Sequence, residues 1–313
     1  MSHATGEKYR RLLERVGDLP PVPTAVAHPA SDAAIAGAVE AALAGIIAPI
    51  LVGPPDKIRA AAAKAGLDIS AYELVPAEHS HEAAERAVAL VREGRAQMLM
   101  KGSLHTDELM GAVVRRETGL RTARRISHCF VMDVPSYPSA LIITDAAINV
   151  FPALEDKIDI VQNAIELAHA LGIEEPRVAI LSAMESVNPK VPSTVEAAAL
   201  CKMADRGQIT GGLLDGPLAL DNAISPEAAR IKGIGGAVAG RADILIAPDL
   251  EAGNMLAKSL SFMAGADSAG IVLGARVPIT LTSRADSVQS RLASCAVSAL
   301  VADYRRRHAG QAL

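Results

Sequence analysis

The sequence predicts an α/β fold in which helices cover a mostly parallel sheet. Helical and strand patterns alternate with short turns along all 313 residues instead of falling into separate blocks. Half of the residues are hydrophobic, yet only 2% are aromatic and Trp is absent. A core of Ala, Val, Ile and Leu suits helices that pack closely on a sheet buried on both faces. The length favours two domains or one large α/β domain.

Short apolar runs predict the strands, because a strand covered on both faces needs no polar alternation. The predicted strands are 48–52, 97–101, 129–134, 140–144, 178–182, 244–247, 270–273 and 278–282. Apolar residues at helical spacing predict helices at 32–44, 56–65, 81–92, 106–114, 155–171, 193–206, 251–264 and 286–307. Asp286 with Gln289 three residues later is typical of a capping box, and Ser225-Pro226 is typical of a helix start.

A domain hinge is predicted at 134–140, where Pro135 and Pro138 interrupt regular structure between two strands. The final helix is long enough to return to the first half of the chain. We therefore expect a discontinuous first domain, 1–137 plus 285–313, and an inserted second domain, 138–284, with a cleft where the chain crosses.

Charge and composition exclude several classes of function. A net charge of −4 and a pI near 6.1 provide no basic face for nucleic acid or an anionic membrane. Three cysteines without CxxC spacing, no long apolar run and no signal-peptide pattern favour a soluble, cytoplasmic protein with reduced thiols. Only His79 and His81 lie close together, with no further ligands, so no metal site is expected.

Two loops suit an anion. Ser283-Arg284 follows an apolar run, and a guanidinium can bind a phosphate through two hydrogen bonds while the hydroxyl donates to an oxyanion. In the alternative interpretation, Ser283 caps a turn and Arg284 is solvated. Lys101-Gly102-Ser103 offers a cation, close backbone approach and a hydroxyl before a helix, although an ordinary turn fits equally well. It is not a Walker A loop.

Other polar loops are weaker candidates. Thr144-Asp145 ends an apolar run, where Asp145 could orient a partner or form an Asx-turn. Asp215 could reach a cleft or act as a cap.

The glycine-rich stretch 232–240 lacks GxGxxG and a preceding strand, so NAD binding is not supported. Five arginines lie in 115–125 and could contact phosphates or form a solvated face. GxSxG is absent, so an acyl-serine mechanism is unsupported.

Taken together in this order, several motifs resemble the phosphate acetyltransferase and phosphate butyryltransferase family. The resemblance extends from about residue 98 to 304. The residues that carry it are Lys101-Gly102-Ser103, Ile126-Ser127-His128, Phe130-Val131-Met132-Asp133, Thr144-Asp145-Ala146, Asn149, Asp215-Gly216-Pro217, 247–254 with Asn254, and 283–287.

The resemblance implies two α/β domains of isocitrate-dehydrogenase-like architecture, an active cleft between them, and a homodimer. It implies reversible transfer of a short acyl group, acetyl or butyryl, between coenzyme A and inorganic phosphate, giving acyl phosphate. Coenzyme A is a substrate, and no cofactor is implied. By resemblance, Ser283 and Arg284 are catalytic. The substrate-binding residues that it implies are Lys101, Ser103, Thr144, Asp145, Asp215, Asn254 and Asp286.

One departure from the family pattern concerns the base. The acetyltransferase branch carries an Asp seven residues after the motif Ser, proposed as the base for the thiol, whereas this chain has Ser290. Asp286 is the nearest carboxylate. This departure motivates the alternative of a non-catalytic binder of coenzyme A or acyl phosphate. A metal- and NAD-dependent dehydrogenase on the same architecture is a second alternative, but neither its clustered Asp ligands nor its nucleotide loop is visible.

Overall fold

The computed structural model describes residues 7–282 and 287–309, which group into two compact units. The unit formed by the middle of the sequence, called the central unit, contains Arg125–Ser268 together with Glu7 and Lys8. The unit formed by the sequence on either side, called the flanking unit, contains Tyr9–Arg124, 269–282 and 287–309. Each unit is a mixed α/β structure, which confirms the predicted fold class.

The helices and strands follow one another along the chain in the alternation that the sequence predicts. The first half contains α1 Glu7–Gly17, β1 Val22–Ala27, α2 Asp32–Leu43, β2 Ile47–Gly53, α3 Pro55–Lys64, β3 Glu73–Pro76, α4 Ser80–Arg92, β4 Met98–Lys101, α5 Thr106–Val113, β5 Ser127–Asp133 and β6 Leu141–Thr144. The second half contains α6 Leu154–Ala170, β7 Arg177–Leu181, α7 Pro192–Asp205, β8 Leu213–Leu218, α8 Leu220–Ile224, α9 Pro226–Ile231, β9 Ile244–Ile246, α10 Leu250–Met263, β10 Asp267–Leu273, β11 Ile279–Thr280 and α11 Val288–Arg307.

In the flanking unit the strands lie in the order β3-β2-β1-β4-β11-β10, and every neighbouring pair is parallel except β11 and β10. Strand β1 was not predicted, because Pro23 and three small residues interrupt its apolar run, yet Ala25, Val26 and Ala27 are completely buried. Strand β3 was not predicted either, since it is short and only partly buried. Both strands form because the sheet supplies partners that sequence patterning does not record.

In the central unit the strands lie in the order β5-β6-β9-β7-β8, with β5 and β6 antiparallel and the others parallel. Strand β8 was missed because Pro217 argues against a strand. It is tolerated here since β8 is the last strand in the order and its register with β7 shifts between Ala179 and Leu181, where bulges accommodate proline. Apolar side chains from these strands and α10, among them Met132, Ile143 and Leu245, form one buried cluster.

The boundaries of the compact units differ from the expected domain boundaries at 137/138 and 284/285. The proline-containing segment 134–140 joins β5 to β6, whose pairing aligns Met132 with Leu141. It is therefore the connection of an antiparallel pair inside the central unit, and the chain changes unit after Lys8, after Arg124 and after Ser268. The assignment of independent domains itself stays a prediction.

Helix ends follow local capping chemistry. Ser225 Oγ accepts from the Ala228 N–H at 3.2 Å and Pro226 is the first helical residue of α9, which confirms the predicted start. At α11 the cap is Ser287, whose Oγ accepts from the Ser290 N–H at 3.1 Å, so the predicted cap at Asp286 is wrong by one residue. The sequence analysis missed α1 and α8, and α8 is shorter than two turns.

The turn from β4 into α5 approaches the end of β1 very closely. The Gly102 N–H donates to the Ala27 carbonyl at 2.9 Å, and the Ser103 N–H donates to the His28 carbonyl at 2.9 Å. A Cβ on Gly102 would lie 2.5 Å from the His28 carbonyl oxygen and would also overlap that of Ala27. Only glycine allows both main-chain hydrogen bonds to form here.

We predict that Gly102→Ala destabilises the protein by about 1–3 kcal/mol, because the new methyl group meets backbone and not a flexible side chain. The matched control is Gly111→Ala on α5, where no neighbouring atom lies within 4 Å of the position that the methyl group would occupy. That change should stabilise by up to about 1 kcal/mol. Urea unfolding followed by circular dichroism measures both, and equal effects of the two substitutions would contradict the prediction.

Candidate functional site

In the flanking unit, Ser103 ties the carboxyl ends of β1 and β4 together. Its Oγ donates to the His28 carbonyl at 2.7 Å, accepts from the Ala30 N–H at 3.1 Å, and lies 3.2 Å from His28 Nδ1. His28 adopts a positive φ of 54°, a conformation that non-glycine residues rarely adopt. This geometry brings its carbonyl to the serine. Ser103 therefore fixes the turn that directly follows Lys101, the last residue of β4.

Lys101 and Ser103 line a cavity of about 440 Å³ in the flanking unit. Lys101 is 7% exposed, and a second cation that lines the same cavity, Arg291 of α11, is 9% exposed. The remaining described lining residues are Ser31, Ala33, Ala34, Met100, Gly102 and Thr282. The sequence prediction had found Lys101 and Ser103 but not Arg291. An arginine among the Ala and Ser residues of α11 is the signal that could have identified it.

In the central unit, Asp145 organises the loop after β6. The Asp145 carboxylate accepts from the main-chain N–H groups of Ala147 and Ile148 at 2.8 and 3.0 Å. It also accepts from the N–H and the Nδ2 of Asn149 at 3.2 and 2.6 Å, and from the His128 N–H at 3.3 Å. This buried carboxylate thus forms the Asx-type turn that was the alternative to a partner-orienting role.

Two further predicted residues hold this same loop. Thr144 is completely buried, and its Oγ1 donates to the His128 carbonyl at 2.9 Å. Asn254, in the second turn of α10, donates from Nδ2 to the Ala146 carbonyl at 2.9 Å. The structure therefore brings Thr144, Asp145 and Asn254 together around 144–149. Asp145 and Asn254 bond to main-chain groups of this segment, whereas the Thr144 hydroxyl bonds to the neighbouring strand β5.

Asp215 lies apart from that loop. It belongs to β8, and two strands, β9 and β7, separate β8 from β6. Burial raises the pKa of Asp215 because it disfavours the charged carboxylate, although a hydrogen bond from the Gly216 main chain acts in the opposite direction. The predicted set of central-unit residues is thus divided between two places on one sheet.

Ser283, Arg284 and Asp286 lie outside the described residues, so their predicted roles stay predictions. Thr282 and Ser287 flank them, and Thr282 lines the flanking-unit cavity. Ser290 is nearly buried at the start of α11. Its N–H donates to Ser287 Oγ, and its hydroxyl accepts from the same Oγ, both at 3.1 Å. Where the acetyltransferase branch has a carboxylate, this chain has a residue of the helix cap.

Buried titratable groups near these loops are held in their neutral forms. Burial lowers the pKa of His128 to about 4, against an opposing effect of the Asp145 carboxylate. His128 Nδ1 has no hydrogen-bond partner among the described residues, and the ring stands edge-on to Phe130. Burial also raises the pKa of Cys129, Cys201 and Cys295 to about 12 each. These thiols stay protonated at neutral pH and are poor nucleophiles.

Within the ranges 7–282 and 287–309, no group of three or more His, Cys, Asp or Glu side chains is arranged to hold a metal ion. No helix in this part of the chain is long and apolar enough to span a bilayer.

An α/β fold with cationic and hydroxyl side chains at strand ends is typical of proteins that bind phosphorylated ligands. The sequence model of the family described as phosphate acetyl/butaryl transferase matches residues 77–299. The chain belongs to this family. It is 65% identical to the phosphate acetyltransferase of Rhizobium meliloti over 303 residues, covering 97% of this chain and 96% of the relative. It is 47% identical to the phosphate butyryltransferase of Clostridium acetobutylicum over 258 residues, covering 82% and 86%.

Solved structures show the same fold. A branched-chain phosphotransacylase from Enterococcus faecalis V583 superposes with a TM-score of 0.79 at 30% identity, covering 90% of this chain and 99% of that one. A 4-hydroxythreonine-4-phosphate dehydrogenase from Burkholderia phymatum superposes with a TM-score of 0.55 at 14% identity, covering 91% and 99%, and this shows a likeness of fold alone. The predicted family and its dehydrogenase-like fold class are confirmed.

We predict that the protein loses stability as the pH falls from about 6.5 to about 4, partly because of His128. In this window His128 is protonated in the unfolded chain and neutral in the folded chain, so the free energy of unfolding rises with pH. Each unit of pKa difference corresponds to about 1.4 kcal/mol.

His128→Gln should flatten this pH dependence of the free energy of unfolding, measured by urea unfolding and circular dichroism between about pH 4 and pH 7. Gln208→Ala, which changes an exposed side chain without a titratable group, is the control and should keep the wild-type slope. An unchanged slope in His128→Gln would show that His128 does not titrate differently in the folded and unfolded chains.

Proposed function

We propose that the protein reversibly transfers a short acyl group between coenzyme A and inorganic phosphate, with acyl phosphate as the product. The observation that carries this proposal is the 65% identity to a phosphate acetyltransferase over nearly the whole of both chains. The cavity that contains Lys101 and Arg291 supports it, because buried cations suit a phosphorylated substrate. Acetyl and butyryl groups are both candidates, since relatives named for each acyl group match the chain.

The proposed reaction, written toward coenzyme A, begins with loss of the thiol proton to solvent water. The thiolate attacks the carbonyl carbon of the acyl phosphate, a C–S bond forms, and the carbonyl electron pair moves onto oxygen. Collapse of this tetrahedral oxyanion breaks the C–O bond to the phosphoryl group, and phosphate leaves with the electron pair of that bond. The chemistry needs donors for the oxyanion and cations for the phosphoryl oxygens.

The family resemblance supports Arg284 as the group that binds the phosphoryl or carbonyl oxygens and Ser283 as the donor near the reacting thiol and carbonyl. Lys101 and Ser103 are proposed to bind substrate from the flanking unit, where both line the cavity. Asp215 and Asp286 are kept as proposed substrate-binding residues.

Thr144, Asp145 and Asn254 take a different place in the proposal. The oxygens of Asp145 already accept five hydrogen bonds, and the described groups of Thr144 and Asn254 bond to main-chain carbonyls. We propose that these three residues position the loop 144–149, which then presents its other groups to the substrate.

The role of the base is left unassigned in this proposal, because Ser290 has no carboxylate and bonds to the helix cap Ser287. A thiol that titrates like cysteine is already a few per cent ionised at neutral pH, so a strong base is helpful and not required. We propose that the enzyme acts as a cytoplasmic homodimer without metal or organic cofactor, with coenzyme A as substrate.

The first test is direct. Purified protein should form a thioester from acetyl, propionyl or butyryl phosphate plus coenzyme A, followed by the absorbance of the thioester bond. Comparison of kcat/KM for the three acyl phosphates identifies the preferred chain length. Binding of coenzyme A without turnover of any of them would favour the non-catalytic binder instead.

The second test concerns Arg284. Arg284→Ala should lower kcat by roughly 100- to 1,000-fold, because it removes a charged donor from the developing oxyanion or leaving phosphate. Arg276→Ala, which replaces an exposed arginine of the same unit, is the control and should retain wild-type turnover. Equal activities of the two variants would rule out Arg284 as a catalytic residue.

A further inference from the structure

The flanking-unit cavity brings together two buried cations and a helix N-terminus. We infer that it is a phosphoryl-binding subsite in which Arg291 is a substrate-binding residue. This inference rests on the proposed function for the identity of the ligand, and on the geometry of one unit for the site. Nothing in the family motifs points to Arg291, because it follows the segment 283–287 that carries the resemblance.

The first argument is electrostatic. Lys101 and Arg291 are 7% and 9% exposed and line the same cavity of about 440 Å³. A guanidinium or an ammonium forms a stronger hydrogen bond with an anionic acceptor than with a neutral one. A ligand with negative charge in this cavity would therefore gain contacts from both side chains.

The second argument concerns the first turn of α2. Ser31 caps this twelve-residue helix by accepting from the Ala34 N–H at 3.4 Å, and Ser31, Ala33 and Ala34 all line the cavity. The helix N-terminus carries a partial positive charge and main-chain N–H donors. Asp32 in the same turn is not among the lining residues and forms an ion pair with Lys64 at 2.6 Å. Because Ala33 and Ala34 have short side chains, an anion can approach these donors.

The third argument concerns how the fold accommodates Arg291. Gly37 lies inside α2, where glycine costs about 1 kcal/mol relative to alanine. A Cβ at Gly37 would lie 3.0 Å from Cδ of Arg291. The glycine therefore lets the arginine stem pass directly against α2. Helices α2 and α11 are packed so that the guanidinium is held at the cavity instead of extending into solvent.

The shape of the site suits a phosphoryl group. A guanidinium offers two parallel donors, an ammonium offers a point charge, and Ser31 and Ser103 line the same cavity. The cavity is larger than one phosphoryl group and can hold part of an attached molecule. Phosphoryl groups reach this enzyme in two ways, as inorganic or acyl phosphate and as the phosphates of coenzyme A.

The test measures binding by isothermal titration calorimetry with the full chain, using inorganic phosphate and, separately, coenzyme A at constant ionic strength. Arg291→Met removes the charge and keeps much of the stem volume, and it should weaken binding of one of these ligands about tenfold or more. Arg291→Lys keeps the charge and should weaken the same ligand less. An effect on phosphate assigns the subsite to acyl phosphate, and an effect on coenzyme A assigns it to the coenzyme.

The control is Arg92→Gln in the same unit, since Arg92 donates to the Glu117 and Gly119 carbonyls and does not line the cavity. It should bind both ligands as the wild type does. If Arg291→Met fails to fold, Lys101→Met provides the same measurement on the other cation. Wild-type affinity for both ligands in the folded variant would overturn the inference.

The outcomes also separate this inference from the proposed function. If the wild type forms thioester and Arg291→Met binds both ligands unchanged, the subsite is contradicted and the proposed function is retained. If Arg291→Met loses binding and the wild type forms no thioester, the subsite is retained and the transferase function is contradicted.

Discussion

The main-chain groups at the carboxyl ends of buried strands must find hydrogen-bond partners, and both units depend on how this constraint is met. In the flanking unit the turn after β4 bonds directly to the end of β1, which requires glycine at position 102. In the central unit the Asp145 carboxylate accepts hydrogen bonds from the main-chain N–H groups of the loop after β6. Each solution places a rigid polar loop at a strand end, where α/β proteins bind their ligands.

Charge is distributed differently at these two loops. The flanking-unit cavity contains two cations that are more than nine-tenths buried, whereas the central-unit loop is organised by a buried carboxylate. A cationic cavity fits the phosphorylated substrates of the transferase family to which the chain belongs. The central-unit loop does not present its carboxylate, because five donors already occupy it. Its contribution to the proposed chemistry is therefore a fixed backbone shape.

The structure gives a local role to Ser290, the residue that stands where the acetyltransferase branch has its proposed base. Ser290 belongs to the cap of α11 and bonds to Ser287. It has the role that a helix start requires. The next residue, Arg291, lines the cavity. At this point the chain has a helix cap and a buried cation where the acetyltransferase branch places a carboxylate.

The sequence by itself determined the fold class, most helices and strands to within a few residues, and the family. Apolar periodicity and helix capping depend on residues that are close in the sequence. The family motifs are recognised by their order along the chain. It also identified Lys101 and Ser103, since a cation and hydroxyl after a strand are a local signal. Strand β1, with Pro23 and small residues, and strand β8, with Pro217, required their partners in the sheet to be recognised.

The tertiary structure alone decided which polar residues share a site. It gathered Thr144, Asp145 and Asn254 around one loop and placed Asp215 on a strand separated from that loop by two others. It also brought Arg291 to the cavity with Lys101, although 190 positions separate them in the chain. The physical reason is that packing of α11 against α2 at Gly37, a contact between distant segments, sets where this charge lies, and no local pattern encodes such a contact.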